Sequence, residues 1–229
     1  MAPKKDQHLS MVRVLRQWRQ DIFADRSEGQ PWRPQSMRTV LEQRLEAATP
    51  RSGVDAPALR RRARSEVMRM SALFTHPWIA ATFPVGKKAE LPDSRWSVPY
   101  AGGPLWAAPD LVLDGPSPSV VLLRASPAPR PVLDLEAALS VAWLLHAHGR
   151  PHDVVNVMEH HRSGWLHHLV VVDKALLRDA RALLAFDRHA IRSLRRREGP
   201  APLTEDKRHC TTCPHAVGCP IEGLLTGSS

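Results

Sequence analysis

Cysteine is almost missing from this chain of 229 residues: Cys210, Cys213 and Cys219 stand together near the end, and none precedes them. An odd count leaves one thiol over in any disulfide scheme, and in a reducing setting closely spaced thiols are expected to serve as ligands rather than as a disulfide. Also missing is any apolar run close to the roughly 18 residues that cross a bilayer. The opening stretch Met1-Ala-Pro-Lys-Lys-Asp-Gln-His8 has no apolar segment of the kind a secretion signal needs. A cytoplasmic location with no membrane partner is therefore expected. Aromatic residues are sparse at 5%, and 23 acids against 32 Lys plus Arg leave a formal charge of +9. An arginine-weighted excess fits a polyanionic partner, nucleic acid foremost, although GC-rich coding bias produces the same composition.

What the chain does have is a hydrophobic content of 43% and 21 prolines. That combination predicts one domain with extensions, with a real core and long irregular connections. Residues 9 to 23 place Leu9, Val12, Leu15, Trp18, Ile22 and Phe23 near helical spacing, with Arg13, Arg16 and Arg19 on another face. A second helix is expected from Ser36, as N-cap, to Ala48, and a third from Ala58 to Phe74 that opens with Arg60, Arg61, Arg62 and Arg64. From residue 95 the period changes. Arg95 to Tyr100, Leu105 to Leu113 and Ser119 to Ala125 read as three consecutive strands between Gly and Pro punctuation. A buried helix from Leu133 to His148, ended by Gly149, follows. Next come a hairpin of 153–161 with 166–172 turning at Ser163-Gly164, and a helix capped by Asp173 that runs to about Arg197. These elements predict an α/β fold with a central mixed sheet of about five strands and helices on both sides. The expected divisions are an N-terminal helical extension (1–94), an α/β core (95–199) and a C-terminal cysteine segment (200–229).

The spacing Cys210-x2-Cys213-x5-Cys219 suits metal ligation, because two thiolates three residues apart can turn to one ion while the loop returns a third. A closed structural zinc site or a cubane iron–sulfur cluster wants four protein ligands. His209 and His215 are the nearest candidates for the fourth, and with either of them a local zinc site is complete.

This order of elements, with Pro109-Asp110 as an aspartate at the end of a strand and Cys210, Cys213-Pro214 and Cys219 at the far C-terminus, resembles the PD-(D/E)XK nuclease superfamily. The closest likeness is to the RecB-like branch with iron–sulfur cysteines, which includes CRISPR-associated exonucleases and the AddB subunit. The likeness covers about residues 95 to 220. It implies a PD-(D/E)XK-like core and a four-iron cluster whose fourth ligand comes from the N-terminal region, where His8, Asp21 or Asp25 would have to replace the missing cysteine. It also implies a metal-dependent phosphodiesterase site with Asp110 as the first acid, followed by acid-x-Lys on the next strand. Here Leu122 and Arg124 stand at those two positions. Leucine cannot ligate a hard cation, and arginine stays protonated, so it can clamp a phosphate but cannot act as a base. The helical Gln-x-x-x-Tyr signature is replaced by Ala137 and Val141. Spare groups are Asp114, Asp134, Glu66 and His76, none of which restores acid-x-Lys.

The expectation is a nucleic-acid-binding, non-catalytic nuclease-like subunit of a DNA-processing or CRISPR-type antiviral complex, fastened by an iron–sulfur cluster or, alternatively, zinc. DNA or RNA would meet Arg124, Arg13, Arg16, Arg19, Arg60, Arg61, Arg62, Arg64, Arg195 and Arg196; for any one cluster a solvated helix face is the plainer reading. One alternative is an active divalent-metal deoxyribonuclease using Asp110 with Arg124. Another is an iron–sulfur redox regulator, since WhiB-like proteins share the C-x2-C-x5-C spacing. The hairpin pairs Glu159-His160-His161 with His167-His168. Alternation brings one histidine of each pair to a common face, although an exposed polar edge is the plainer reading. The tryptophans read as core by their flanks, with Trp32 and Trp165 as candidates for base stacking.

Overall fold

The computed structural model describes residues 4–48, 56–93, 96–113 and 119–196. Cys210, Cys213, Cys219, His209, His215 and Asp114 lie outside the described residues, as do the side chains of His8, Arg195 and Arg196. The chain divides into two compact units, Met1–Arg181 and Ala182–Ser229.

The N-terminal helices form because their apolar residues recur every three or four positions and so share one face. Helix α1 (Lys4–Ser27) buries Leu15, Trp18, Ile22 and Phe23. Helix α2 (Pro34–Ala48) buries Met37, Leu41 and Leu45. It starts two residues before the expected Ser36 cap, because Pro34 is already set to a helical φ and needs no amide partner in the first turn. Helix α3 (Ala56–Thr75) buries Leu59, Ala63, Val67, Met70 and Leu73, and the short α4 (Pro77–Thr82) follows. The buried Trp18 donates its Nε1–H to the Met37 carbonyl at 3.0 Å, which satisfies its one polar atom while fixing α1 against α2.

Strand β1 (Ala89–Glu90) enters the main sheet, whereas β2 (Val98–Tyr100) and β3 (Gly103–Leu105) form a separate two-stranded ribbon. The single strand expected over Leu105–Leu113 is therefore two: β3 ends at Leu105 and β4 (Leu111–Leu113) begins after Pro109. Proline brings no N–H to a ladder, and pairing resumes where the Asp110 amide donates to the Val121 carbonyl at 3.1 Å. Next come β5 (Ser119–Arg124), α5 (Arg130–His148), β6 (Val154–His161), β7 (Gly164–Val171) and α6 (Lys174–Arg196).

Helix α5 begins three residues before Leu133, with Pro131 in its first turn, and stops where Gly149 takes φ 67° and returns its N–H to the Leu145 carbonyl at 2.9 Å. The hairpin loop is Arg162-Ser163, one residue earlier than expected, because His161 pairs with Gly164. Asp173 caps α6 as expected, its Oδ1 accepting the Leu176 N–H at 2.7 Å.

The main sheet is five-stranded and mixed, in the order β1-β4-β5-β6-β7, with β5 and β6 parallel and the other neighbours antiparallel. Period-two alternation sends Leu111, Leu113, Val121 and Met158 to one face, where they share a core with α1 to α4. Val120, Leu122 and Val157 are buried on the other face, the side of the crossover helix α5, whose Ala137, Val141 and Leu144 are buried as well. Each large apolar side chain buried in these layers contributes about 1.5–3 kcal/mol. Among the described residues, no helix is long and apolar enough to cross a membrane.

Candidate functional site

The parallel pairing of β5 with β6 puts their carboxyl ends side by side, and the cationic residues gather there. At the end of β5 a cleft of about 490 Å³ opens between α1 and α5. Arg16 and Arg19 line it from α1, Asp110 from the approach to β4, Arg124 from β5, and Glu136 and Ser140 from α5. Asp110 is fixed by the Leu123 amide, which donates to Oδ2 at 2.7 Å. The protein's desolvation of Asp110 raises its pKa; Arg19, the Leu123 hydrogen bond and Arg16 oppose the shift, and Glu136 adds to it. Arg16 donates to the Ala108 carbonyl at 3.0 Å, so a helix residue is tied to the loop before β4 across 92 positions of sequence.

Arg124 forms an ion pair with Glu136, yet its buried Nε has no hydrogen-bond partner among the described residues, and neither does the Nε of Arg19. A buried N–H left unpaired carries a cost that an incoming anionic oxygen can relieve. Three guanidinium groups and two carboxylates line the cleft, so its donors outnumber its acids. The arrangement suits a phosphate better than a bare cation.

A second cleft, of about 500 Å³, lies at the end of β6, lined by Arg61, Arg64 and Arg69 of α3 with His160, Arg162 and Ser163 of the hairpin turn. Arg69 also pairs with the buried Glu66 at 2.9 Å. Arg13, Arg60 and Arg62 are exposed and line neither cleft.

Several expectations change in this light. Glu66 does not accompany Asp110: it faces Arg69 on α3, and the helical residues over Asp110 are arginines from α1. His76 lines neither cleft and sits next to α4, as its N-cap. Asp134 pairs with Arg130 at 2.7 Å one turn away on α5. Asp21 is taken by Arg44 at 2.6 Å, and Asp25 accepts the Trp32 indole N–H, so both already serve contacts among the N-terminal helices. On α5 the cleft-facing pair is Glu136 and Ser140, whereas Ala137 and Val141 are buried one position further round the helix. Trp165 is held by its indole N–H on the Arg69 carbonyl at 2.8 Å. By contrast Trp106, which its flanks assign to the core, is 62% exposed at the cleft. The break after Leu105 is the signal that could have shown this, since Pro109 stops the strand that would have buried it.

The hairpin brings together a further group. Glu159, His161 and His168 meet on the α5 side of the sheet, with ligand atoms all within 4.8 Å of one another. Burial pushes the Glu159 carboxyl up, but the hydrogen bonds from His161 and the Ala128 amide and the nearby His161 and His168 outweigh this and hold it below its ordinary value. Comparison with known proteins found no matching family model, no matching curated protein and no matching solved structure.

Proposed function

We propose that this chain binds nucleic acid without cutting it, as a nuclease-like subunit of a larger DNA-processing or antiviral complex. The observation that carries the reading is the cleft itself: Arg16, Arg19 and Arg124 surround Asp110, which stands just before β4, and the next strand offers Leu122 and Arg124. A divalent ion held for hydrolysis needs carboxylates from adjacent positions and a base, and an arginine supplies neither. A phosphodiester needs charge-assisted donors, which the half-buried Arg19 and Arg124 supply. The second arginine cleft, at the neighbouring carboxyl end of β6, extends the path on which a polyanion could lie. The resemblance to RecB-like nucleases supports the same reading, with Cys210, Cys213 and Cys219 holding an iron–sulfur cluster or zinc that fastens the C-terminal segment.

The test is fluorescence anisotropy of labelled single- and double-stranded DNA and RNA with the full-length chain over a range of salt. Affinity that falls steeply with salt and drops in Arg19→Ala and Arg124→Ala is the expected result; no salt-dependent binding to any of the four overturns the proposal. Metal analysis with a visible absorption spectrum of anaerobically purified protein separates iron from zinc in the tail.

A second reading, a metal-dependent nuclease with a relocated ligand, rests on Glu136, which is close enough to Asp110 to raise its proton affinity. It requires magnesium- or manganese-dependent cleavage that both Asp110→Asn and Glu136→Gln abolish.

A further inference from the structure

The hairpin end carries a constellation that the arginine clefts do not use. On β6, Glu159 and His161 are two residues apart and so share a face. His168 lies opposite Val157 on β7, diagonal to Glu159 and on the same face. Glu159 is only 2% exposed, whereas His161 and His168 are about one-third exposed at their side chains, 29% each. The Ala128 amide donates to Glu159 Oε1 at 2.6 Å, which turns Oε2 toward the two imidazoles. Their Nε2 atoms stand 2.7 Å (His161) and 3.2 Å (His168) from it.

We propose that Glu159, His161 and His168 form a binding site for a divalent first-row transition metal of the zinc class. Two imidazoles with one carboxylate are the donor set of a three-ligand zinc site, and the single hard oxygen is too few for calcium or magnesium. In the metal-free form the Nε2 atoms of both rings are engaged in hydrogen bonds with Oε2. In the metal-bound form each neutral ring carries its single proton on Nδ1 and offers its Nε2 lone pair, and the ion takes the place of the two hydrogen bonds. Metal–ligand bonds of about 2.0–2.1 Å put tetrahedral ligand atoms about 3.3 Å apart, so His168 is already at that spacing and His161 has to swing outward by about half an ångström. Its partial exposure leaves room for this. The Ala128 amide is the outer hydrogen bond that keeps the carboxylate monodentate. Gly164 pairs with His161 and has no side chain to cover it, which leaves the outer side of the site open for water as a fourth ligand. Glu159 is also in register with Arg124 on β5, so the metal would sit next to the strand that serves the arginine cleft. The assignment does not depend on nucleic-acid binding.

The cysteines are competing ligands, so the experiment uses the full-length chain with Cys210, Cys213 and Cys219 changed to Ser, titrated with Zn²⁺ by calorimetry. One saturable equivalent is expected, weakened about tenfold or more by His161→Ala and again by His168→Ala, with unchanged circular dichroism. If the serine variant does not fold, long-range ¹H–¹⁵N spectra of the wild-type imidazoles decide the matter, because Zn²⁺ must shift Nε2 of His161 and His168 selectively. Zinc binding that is equal with and without the two histidines overturns the proposal. So does a spectrum in which neither ring responds.

Discussion

Asp110 Oδ2 accepts the backbone N–H of Leu123 at 2.7 Å, which joins the entrance of β4 to the exit of β5 on the floor of the arginine cleft. Asp110→Ala leaves that amide without its acceptor and removes the charge that Arg16 and Arg19 face, and it is expected to cost about 1–3 kcal/mol in urea denaturation. Asp110→Asn keeps an acceptor oxygen and removes only the charge. Folding raises the proton affinity of Asp110, so its contribution to stability is present below the ordinary value of 3.8 and is lost as pH rises through the folded-state value. Wild type should therefore lose stability relative to Asp110→Asn between that acid limit and neutrality, as parallel denaturation series across pH would read.

Arg19 and Arg124 should act as phosphate contacts, which tune affinity without regard to sequence. Removing either is expected to flatten the dependence of log affinity on log salt by about 0.9 for duplex DNA and about 0.7 for a single strand. Arg13→Ala, exposed and outside both clefts, should change the slope less. Anisotropy titrations at several salt concentrations measure the slopes.

Trp106 is the exposed aromatic at the cleft. A base–aromatic stack is worth about 1–3 kcal/mol, so Trp106→Ala should weaken single-strand binding by about tenfold or more and leave duplex binding nearly unchanged. Trp165→Phe makes a contrast: it breaks the hydrogen bond to the Arg69 carbonyl and should lower stability by about 1 kcal/mol without this split between strand types.

Glu159 behaves oppositely to Asp110. Its folded-state pKa is depressed, so its stabilisation is present above the ordinary value of 4.5 and is lost as pH falls through the folded-state value. Glu159→Gln should lower stability by about 1–3 kcal/mol at neutral pH, with the gap closing in acid. Thermal unfolding of both proteins across pH checks the sign.

Met158 lies in the core where the sheet meets α1 to α4, with 0% exposure. Met158→Ala should cost about 2–5 kcal/mol. Because the same cluster holds Trp18, Leu41 and Val121, helix-sensitive and tryptophan signals should be lost together rather than in separate transitions.

Local chemistry was legible in the sequence wherever it is set by neighbours along the chain. The spacing of Leu15, Trp18 and Ile22 fixes a helix face, Asp173 marks a helix start through its side-chain Oδ1 and Gly149 a helix end through its backbone N–H, and alternation from Val154 to Val171 gives a hairpin with one histidine of each pair on a common face. The expected strand over residues 105–113 failed because apolar content outweighed Pro109, although a missing amide matters more to a ladder than a suitable side chain does. That Glu136 and Ser140 line the cleft while Ala137 and Val141 are buried is a matter of one helical position, about 100° of rotation, which only the packing of α5 on the sheet can set.

The sequence by itself determined the α/β pattern, the cationic helix faces, and the presence of Asp110 after Pro109 and of Leu122 and Arg124 on the following strand. Only the tertiary structure decided that Arg16 and Arg19 lie over Asp110, that Glu136 answers Arg124, and that Glu159 gathers His161 and His168. These are meetings of side chains from different elements. Their geometry follows from how helices settle on a twisted sheet to bury apolar surface, and no spacing along the chain encodes that directly.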